Sequence, residues 1–305
     1  MENCYLDSAG KGKIFCRVWE PQGEVRAVLQ IVHGVAEHTE RYDDFARFLN
    51  QKGILVAAED HMGHGKSLGE GDVQGFFFGG WEAAVADSRQ LQERLQKEYP
   101  DVPCFLLGHS MGSFMVRTML ISYPDSGIRG AIVSGTGWQP TAALKLGARL
   151  CGSEAKKRGE QAVSPLINKM VFGGYNRHFQ PVRTPHDWIC TDEAVVDRYE
   201  ADPLCGFDAT VGLSRDMFSG IRRIQNPENL KKMQKDLPVW FFSGSLDPVG
   251  NRGKGVRKTV EAFRRAGMRD VSVTLYEGYR HEMLNERNKT QVYADVLRFL
   301  ETHIN

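Results

Sequence analysis

Five short runs of apolar residues carry no in–out alternation: Ala27 to Val32, Ile54 to Ala58, Cys104 to Leu107, Ala131 to Val133 and Val239 to Phe242; Val271 to Tyr276 is read as a sixth strand of the same type. A strand with one wet face alternates apolar and polar residues, so unbroken runs point to strands covered on both faces. Amphipathic stretches lie between most of them. Arg41 to Gln51 gathers Tyr42, Phe45, Phe48 and Leu49 on one side, and Trp81 to Tyr99 gathers Val85, Leu91 and Leu95. Gly253 to Ala266 and Thr290 to His303 repeat the pattern with Val256, Val260 and Phe263, then Val292, Val296 and Leu300. Ahead of them, Cys4 to Leu6 and Ile14 to Val18 alternate around Ser8-Ala9-Gly10-Lys11-Gly12, the signature of a hairpin. Strand–helix alternation with right-handed crossovers predicts an α/β chain: about eight strands, mostly parallel, flanked by helices.

The rhythm stops between Trp138 and about Gln225. Helix-like pieces at Ala142 to Cys151, Asp192 to Tyr199 and Val211 to Ile224 occur there with a basic cluster, Lys156-Lys157-Arg158, and turn-rich Phe172-Gly173-Gly174-Tyr175-Asn176. No buried strand is expected in it. The domain expectation is therefore a core built from 1–137 and 226–305, with 138–225 as a helical insertion over the C-terminal sheet edge, where α/β sheets bind ligands.

Composition narrows the class. With 305 residues, 41% hydrophobic and 25% charged, the chain can bury a sizeable core. The 39 Lys plus Arg nearly cancel 38 Asp plus Glu, which argues against nucleic acid as a partner. No run approaches the ~20 apolar residues of a bilayer span. Met1 to Asp7 lacks a basic segment leading into an apolar one, so no signal peptide is expected. Six widely spaced cysteines suit reduced thiols and a cytoplasmic location.

The strongest chemical signal is Gly108-His109-Ser110-Met111-Gly112, a G-x-S-x-G directly after an apolar strand and before a helix-like run. The bare pattern is common by chance; its context makes it informative. A nucleophile lifted onto a tight strand-to-helix turn crowds its neighbours, so small residues must stand two places either side. The following N–H then sits at a helix N-terminus, where negative charge is favoured. A lone serine is a poor nucleophile, so a base and an orienting acid must follow. Asp247 comes just after the run Val239 to Phe242, and His281 on the loop after Val271 to Tyr276. The order Ser, Asp, His is the α/β-hydrolase order. Asp270, at the opposite sheet end, is a weak rival acid. Two oxyanion donors are required; the N–H groups of Met111 and of Val35, in His33-Gly34-Val35-Ala36-Glu37-His38, are best placed.

These segments together resemble monoacylglycerol lipases and related lysophospholipases, over nearly the whole chain. His33-Gly34-Val35-Ala36-Glu37-His38-Thr39-Glu40-Arg41-Tyr42 is similar to their H-G-x-x-E-H-x-x-R-Y segment, and Asp60-His61-Met62-Gly63-His64-Gly65-Lys66-Ser67 to their D-x-x-G-H-G-x-S turn. The elbow is similar to their G-H-S-M-G. The resemblance implies the α/β-hydrolase fold with a cap between the sixth and seventh strands. It also implies Ser110, Asp247 and His281 as catalytic residues, and Val35 and Met111 as oxyanion donors. Asp202-Pro203-Leu204-Cys205 resembles a short cap segment of the group. Ser113 departs from the glycine often found there, but remains small.

Plainer readings serve for other features. His33, His38, His61 and His64 lack zinc-motif spacing and read as hydrogen-bonded turn residues, so no metal is expected. His109 reads as packing. Gly63 and Gly65 complete no phosphate loop. Phe76-Phe77-Phe78 reads as core at least as well as acyl pocket, and Cys205 as a buried thiol. Ala142 to Leu150 reads as a cap helix at the mouth rather than a lipid anchor, though transient contact with a lipid surface is compatible with it.

The expected function is a serine hydrolase of carboxylic esters, without cofactor, acting on a small acyl ester. Monoacylglycerols or lysophospholipids are the substrates the resemblance implies. Two alternatives stay open. An aminopeptidase or amidase on the same scaffold could use Glu193, Asp197, Glu200 and Asp202 to hold a peptide N-terminus. A non-catalytic binding protein could keep the fold alone. Oligomeric state is not legible.

Overall fold

The computed structural model describes residues 3–304. β1 (Cys4–Asp7) and β2 (Lys13–Trp19) form the expected hairpin, with Cys4 opposite Cys16. β3 (Ala27–Val32), β4 (Ile54–Glu59), β5 (Cys104–His109), β6 (Gly130–Ser134), β7 (Val239–Gly244) and β8 (Val271–Tyr276) complete a sheet of eight strands. Their order is β1-β2-β4-β3-β5-β6-β7-β8, antiparallel to β4 and parallel beyond it.

Every residue of β3, β4, β5, β6 and β7 is buried, which is why these runs show no alternation. The pleat sends neighbours to opposite faces. Leu29, Ile31, Val56, Leu107 and Ile132 pack beneath α1 (Asp43–Asn50) and the C-terminal helix 289–303. Val28, Val32, Leu55, Leu106 and Val133 pack on the other face, against α2 (Gly80–Glu98) and α3 (Met111–Ser122).

Between β6 and β7 come α4 (Thr141–Arg158), α5 (Pro165–Val171), α6 (Glu193–Ala201), α7 (Val211–Ile224) and α8 (Pro227–Leu230), with no β-strand among the described residues. After β7 follow α9 (Lys254–Arg265), under the α3 face, and α10 (Lys289–His303). Several details differ from the sequence reading. β8 is not covered on both faces as expected: it is the edge strand, and only Val271 and Tyr276 in it are buried. The short α8, past residue 225, was not expected. α4 runs on to Arg158, because the basic cluster is its last turn: cations suit a helix C-terminus, and Arg158 also pairs with Glu154 at 3.0 Å. α5 was not foreseen; it is short, and its only signal is Pro165 in the first turn.

Candidate active site

β5 ends at His109 and α3 begins at Met111, so Ser110 alone reverses the chain, at φ 53° and ψ −120°. A side chain pays strain in this region, and such strain concentrates where a reactive group must be presented. The flanking glycines are sterically forced. A Cβ on Gly112 would stand 1.9 Å from the Val32 carbonyl oxygen, and one on Gly108 would stand 2.4 Å from that of Gly112. The Ser110 N–H donates to the Ser134 carbonyl at 3.0 Å, and the Ser113 hydroxyl donates to the Ser110 carbonyl at 2.5 Å. The residue that departs from glycine thus helps to hold the turn.

Asp247 follows β7 and is fully buried. Its carboxylate accepts from the Ser243 hydroxyl at 3.0 Å and the Val249 N–H at 2.9 Å, which hold its orientation. The loop after β8 is pressed against it: a Cβ on Gly244 would meet the Arg280 carbonyl oxygen at 2.0 Å, and Leu246 N–H donates to Tyr279. This contact brings His281 to the carboxylate, Nδ1 lying 3.0 Å from Asp247 Oδ1, off the line of a well-aligned hydrogen bond. The imidazole is gripped between Trp188 and His109, with ring centroids at 5.0 and 4.7 Å. Burial disfavours its charged form, but the Asp247 carboxylate together with Glu282 and Glu37 offsets that and raises the pKa above 6.5. Burial keeps neighbouring His109 neutral, its pKa well below 6.5. Neither Ser110 Oγ nor His281 Nε2 has a hydrogen-bond partner among the described residues; the pair stands open, as unliganded sites commonly do.

The turn after β3 faces Ser110, for a Cβ on Gly34 would come within 3.0 Å of the Ser110 Cβ. Ala36 takes a left-handed φ of 55°, and its carbonyl accepts from the Tyr199 hydroxyl at 2.8 Å and the Gly206 N–H at 3.0 Å. Gly34 N–H donates to Glu37 Oε1 at 2.6 Å. Arg41 spans Glu37 and Glu282, the residue after His281, with both Glu282 oxygens at 2.6 Å. The turn and the histidine loop are therefore joined by a buried charged bridge. Val35 and Met111 line the same cavity as Ser110 and His281, and neither N–H is used in a hydrogen bond among the described residues.

That cavity measures about 1310 Å³. Phe114, Leu144, Met217, Phe218 and Ile221 give it an apolar flank large enough for an acyl chain. Phe76, Phe77 and Phe78 do not line it; Phe77 is core. Of the four acids considered for a peptide N-terminus, only Glu200 reaches the cavity, and His186 holds it at 2.9 Å. Asp197 pairs with Arg183, and Asp202 with His38. Asp270 lies beside His303, 3.6 Å away, remote from the cavity. His33, His61 and His64 are buried and bonded to backbone groups: Nδ1 of His33 to the Gly34 carbonyl, Nε2 of His61 to that of His33, Nδ1 of His64 to that of Met62. Burial lowers all three pKa values.

Sequence reasoning missed Trp188, Tyr199 and Glu282. Glu282 could have been noticed, being next to His281. Nothing in their spacing marks Trp188 or Tyr199.

A family model described as "Serine aminopeptidase, S33" matches residues 23–288. The monoglyceride lipase of Mus musculus is 29% identical over 283 residues, covering 92% of this chain and 84% of that protein. A monoglyceride lipase homolog of Monkeypox virus is 41% identical over 292 residues, covering 95% and 94%. A thermostable carboxyl esterase from Bacillus coagulans, solved with glycerol, superposes with a TM-score of 0.92 at 28% identity, covering 100% of this chain and 99% of that one.

Proposed function

The chain belongs to the serine aminopeptidase S33 family, and from that premise we propose that Ser110, His281 and Asp247 are its nucleophile, base and orienting acid. It is a serine hydrolase of carboxylic esters with the α/β-hydrolase fold. His281 takes the Ser110 proton as the hydroxyl attacks the ester carbonyl, and Asp247 holds the imidazole and stabilises its charged form. The N–H groups of Val35 and Met111 receive the oxyanion. His281 then protonates the leaving alcohol, and water frees the acyl group by the same steps in reverse. The observation that carries this reading is the His281–Asp247 contact of 3.0 Å at the wall of the cavity that Ser110 lines.

Residues 138–225 act as a cap, and the substrate has one acyl chain on a small polar head: a monoacylglycerol or a lysophospholipid. Support comes from the apolar flank supplied by α4 and α7, and from the monoglyceride lipases among the relatives. Leu146 and Met170, both exposed cavity residues of the cap, suit transient contact with a lipid surface. No described helix is long and apolar enough to cross a membrane. Six free cysteines favour a cytoplasmic location. Of the four acids weighed for the peptide-amide alternative, Glu200, Asp197 and Asp202 are paired with other side chains and Glu193 does not line the cavity.

A fluorophosphonate probe tests the nucleophile, and turnover of monoacylglycerol, lysophospholipid and proline-amide substrates tests the class. Labelling of Ser110 with ester turnover is expected. A folded protein that resists the probe overturns the catalytic reading; faster amide than ester turnover overturns the substrate class.

A further inference from the structure

His38, on the turn that carries Val35, meets a segment more than 160 residues away in sequence: its Nε2 lies 2.8 Å from Asp202 Oδ2 (|i−j| = 164). Cys205 completes the group, and one ligand atom from each residue lies within 4.8 Å of the others. His38 and Cys205 are buried and Asp202 is half-buried, so the cluster is shielded but has one open side. The backbone is already arranged around it. Leu204 N–H donates to Asp202 Oδ1 at 2.9 Å, Cys205 N–H to the Asp202 carbonyl at 2.9 Å, and Gly206 N–H to the Ala36 carbonyl at 3.0 Å. The nearest cation, Arg41, is occupied by Glu37 and Glu282.

We propose that His38, Asp202 and Cys205 form an inhibitory site for a zinc-class divalent ion, separate from the ester-cleaving residues. One imidazole nitrogen, one carboxylate oxygen and one sulfur suit a borderline-soft d¹⁰ ion, and three protein ligands leave a fourth position for water. On binding, the Cys205 thiol releases its proton to solvent, and the His38 proton now facing Asp202 moves to the other ring nitrogen. Tetrahedral zinc with bonds of about 2.0 to 2.3 Å needs ligand atoms about 3.5 Å apart. The ion therefore parts His38 and Asp202, now 2.8 Å apart, by somewhat under an ångström and draws Cys205 in to match, mostly through side-chain rotation. Part of that pull reaches the Val35 turn, where a shift of ~1 Å can cost 10²-fold in rate. The inhibition rests on the Val35 assignment; the binding does not.

The test uses cobalt(II) and zinc(II) on the purified full chain, with Cys205→Ser and Asp202→Asn beside it. One cobalt per chain is expected, with a thiolate-to-cobalt charge-transfer band that is absent from Cys205→Ser. Zinc should slow ester turnover at least tenfold, reversibly by chelator, and Cys205→Ser should need at least tenfold more zinc for the same inhibition. Absence of the band in the folded wild type, or its persistence in Cys205→Ser, overturns the site. Equal zinc inhibition of wild type and Cys205→Ser overturns the inhibitory role. A band without inhibition would keep the ion site and discard its coupling to Val35, leaving the fluorophosphonate result on Ser110 as the separate measure of the catalytic reading.

Discussion

The sheet edge and the helices above it solve different problems. At the edge, backbone meets backbone: Gly112 lies against the β3 carbonyls and Gly244 against the 279–280 carbonyls, so no side chain fits at either place. Above it, side chain meets side chain. A Cβ on Gly147 of α4 would encounter only the Phe218 ring, at 2.8 Å, and Leu146, Leu166 and Met170 remain exposed. Rings rotate and carbonyls in a sheet do not. One region has its residues dictated by geometry, whereas the other has only to be apolar and approximately shaped.

The contrast is most sharply tested by Ser110→Ala, which should cost about 10⁴ to 10⁶ in kcat while leaving thermal unfolding nearly unchanged. Steady-state kinetics beside calorimetry check it, and substantial turnover would break the edge's claim to the chemistry. Next comes a pair of identical changes. Gly112→Ala should destabilise by more than about 3 kcal/mol, since sheet carbonyls must move. Gly147→Ala should change stability by no more than about 1 kcal/mol, because the helical gain of alanine offsets the ring's displacement. Urea titrations of both would show whether the two regions differ as argued.

A third prediction concerns pH. In the proposed mechanism His281 must be neutral to accept a proton, and its acidic neighbours, Asp247 foremost, raise its pKa above 6.5 against the effect of burial. On the acid side kcat/KM should therefore fall about tenfold per pH unit, beginning above 6.5. Asp247→Asn should move that limb to lower pH, with turnover reduced by about 10⁴. A limb that stays in place would mean that another group sets it. Smallest is Leu146→Asn: stability should change by less than about 0.5 kcal/mol, while KM for long-chain esters rises more than for short ones. A uniform change in KM would remove Leu146 from the acyl path.

How far the chain could be read in advance follows the same division. The buried strands showed themselves as unbroken apolar runs, and the elbow as glycines two places either side of Ser110. Asp247 and His281 stand out because each follows a strand by a few residues, and folding brings their side chains to 3.0 Å. By contrast, Trp188 against His281 and Tyr199 on the Ala36 carbonyl depend on packing between distant segments, for which local pattern carries no signal. His38 illustrates the limit. Its turn was legible, but its partner Asp202 stands in another part of the chain and is joined to it only by folding. Arg41 and Glu37 sit only four residues apart on one turn, yet the third member, Glu282, is equally remote.

The Ala36 carbonyl receives one donor from α6 and another from the segment just beyond it. This makes the 138–225 insertion something other than a detachable module. Transplanting a different insertion to obtain a new specificity would strip the turn that carries Ala36 of these two outside supports. A recombinant chimera would inherit a slackened turn beside Ser110, unless the graft carried a hydroxyl and an amide to the same point.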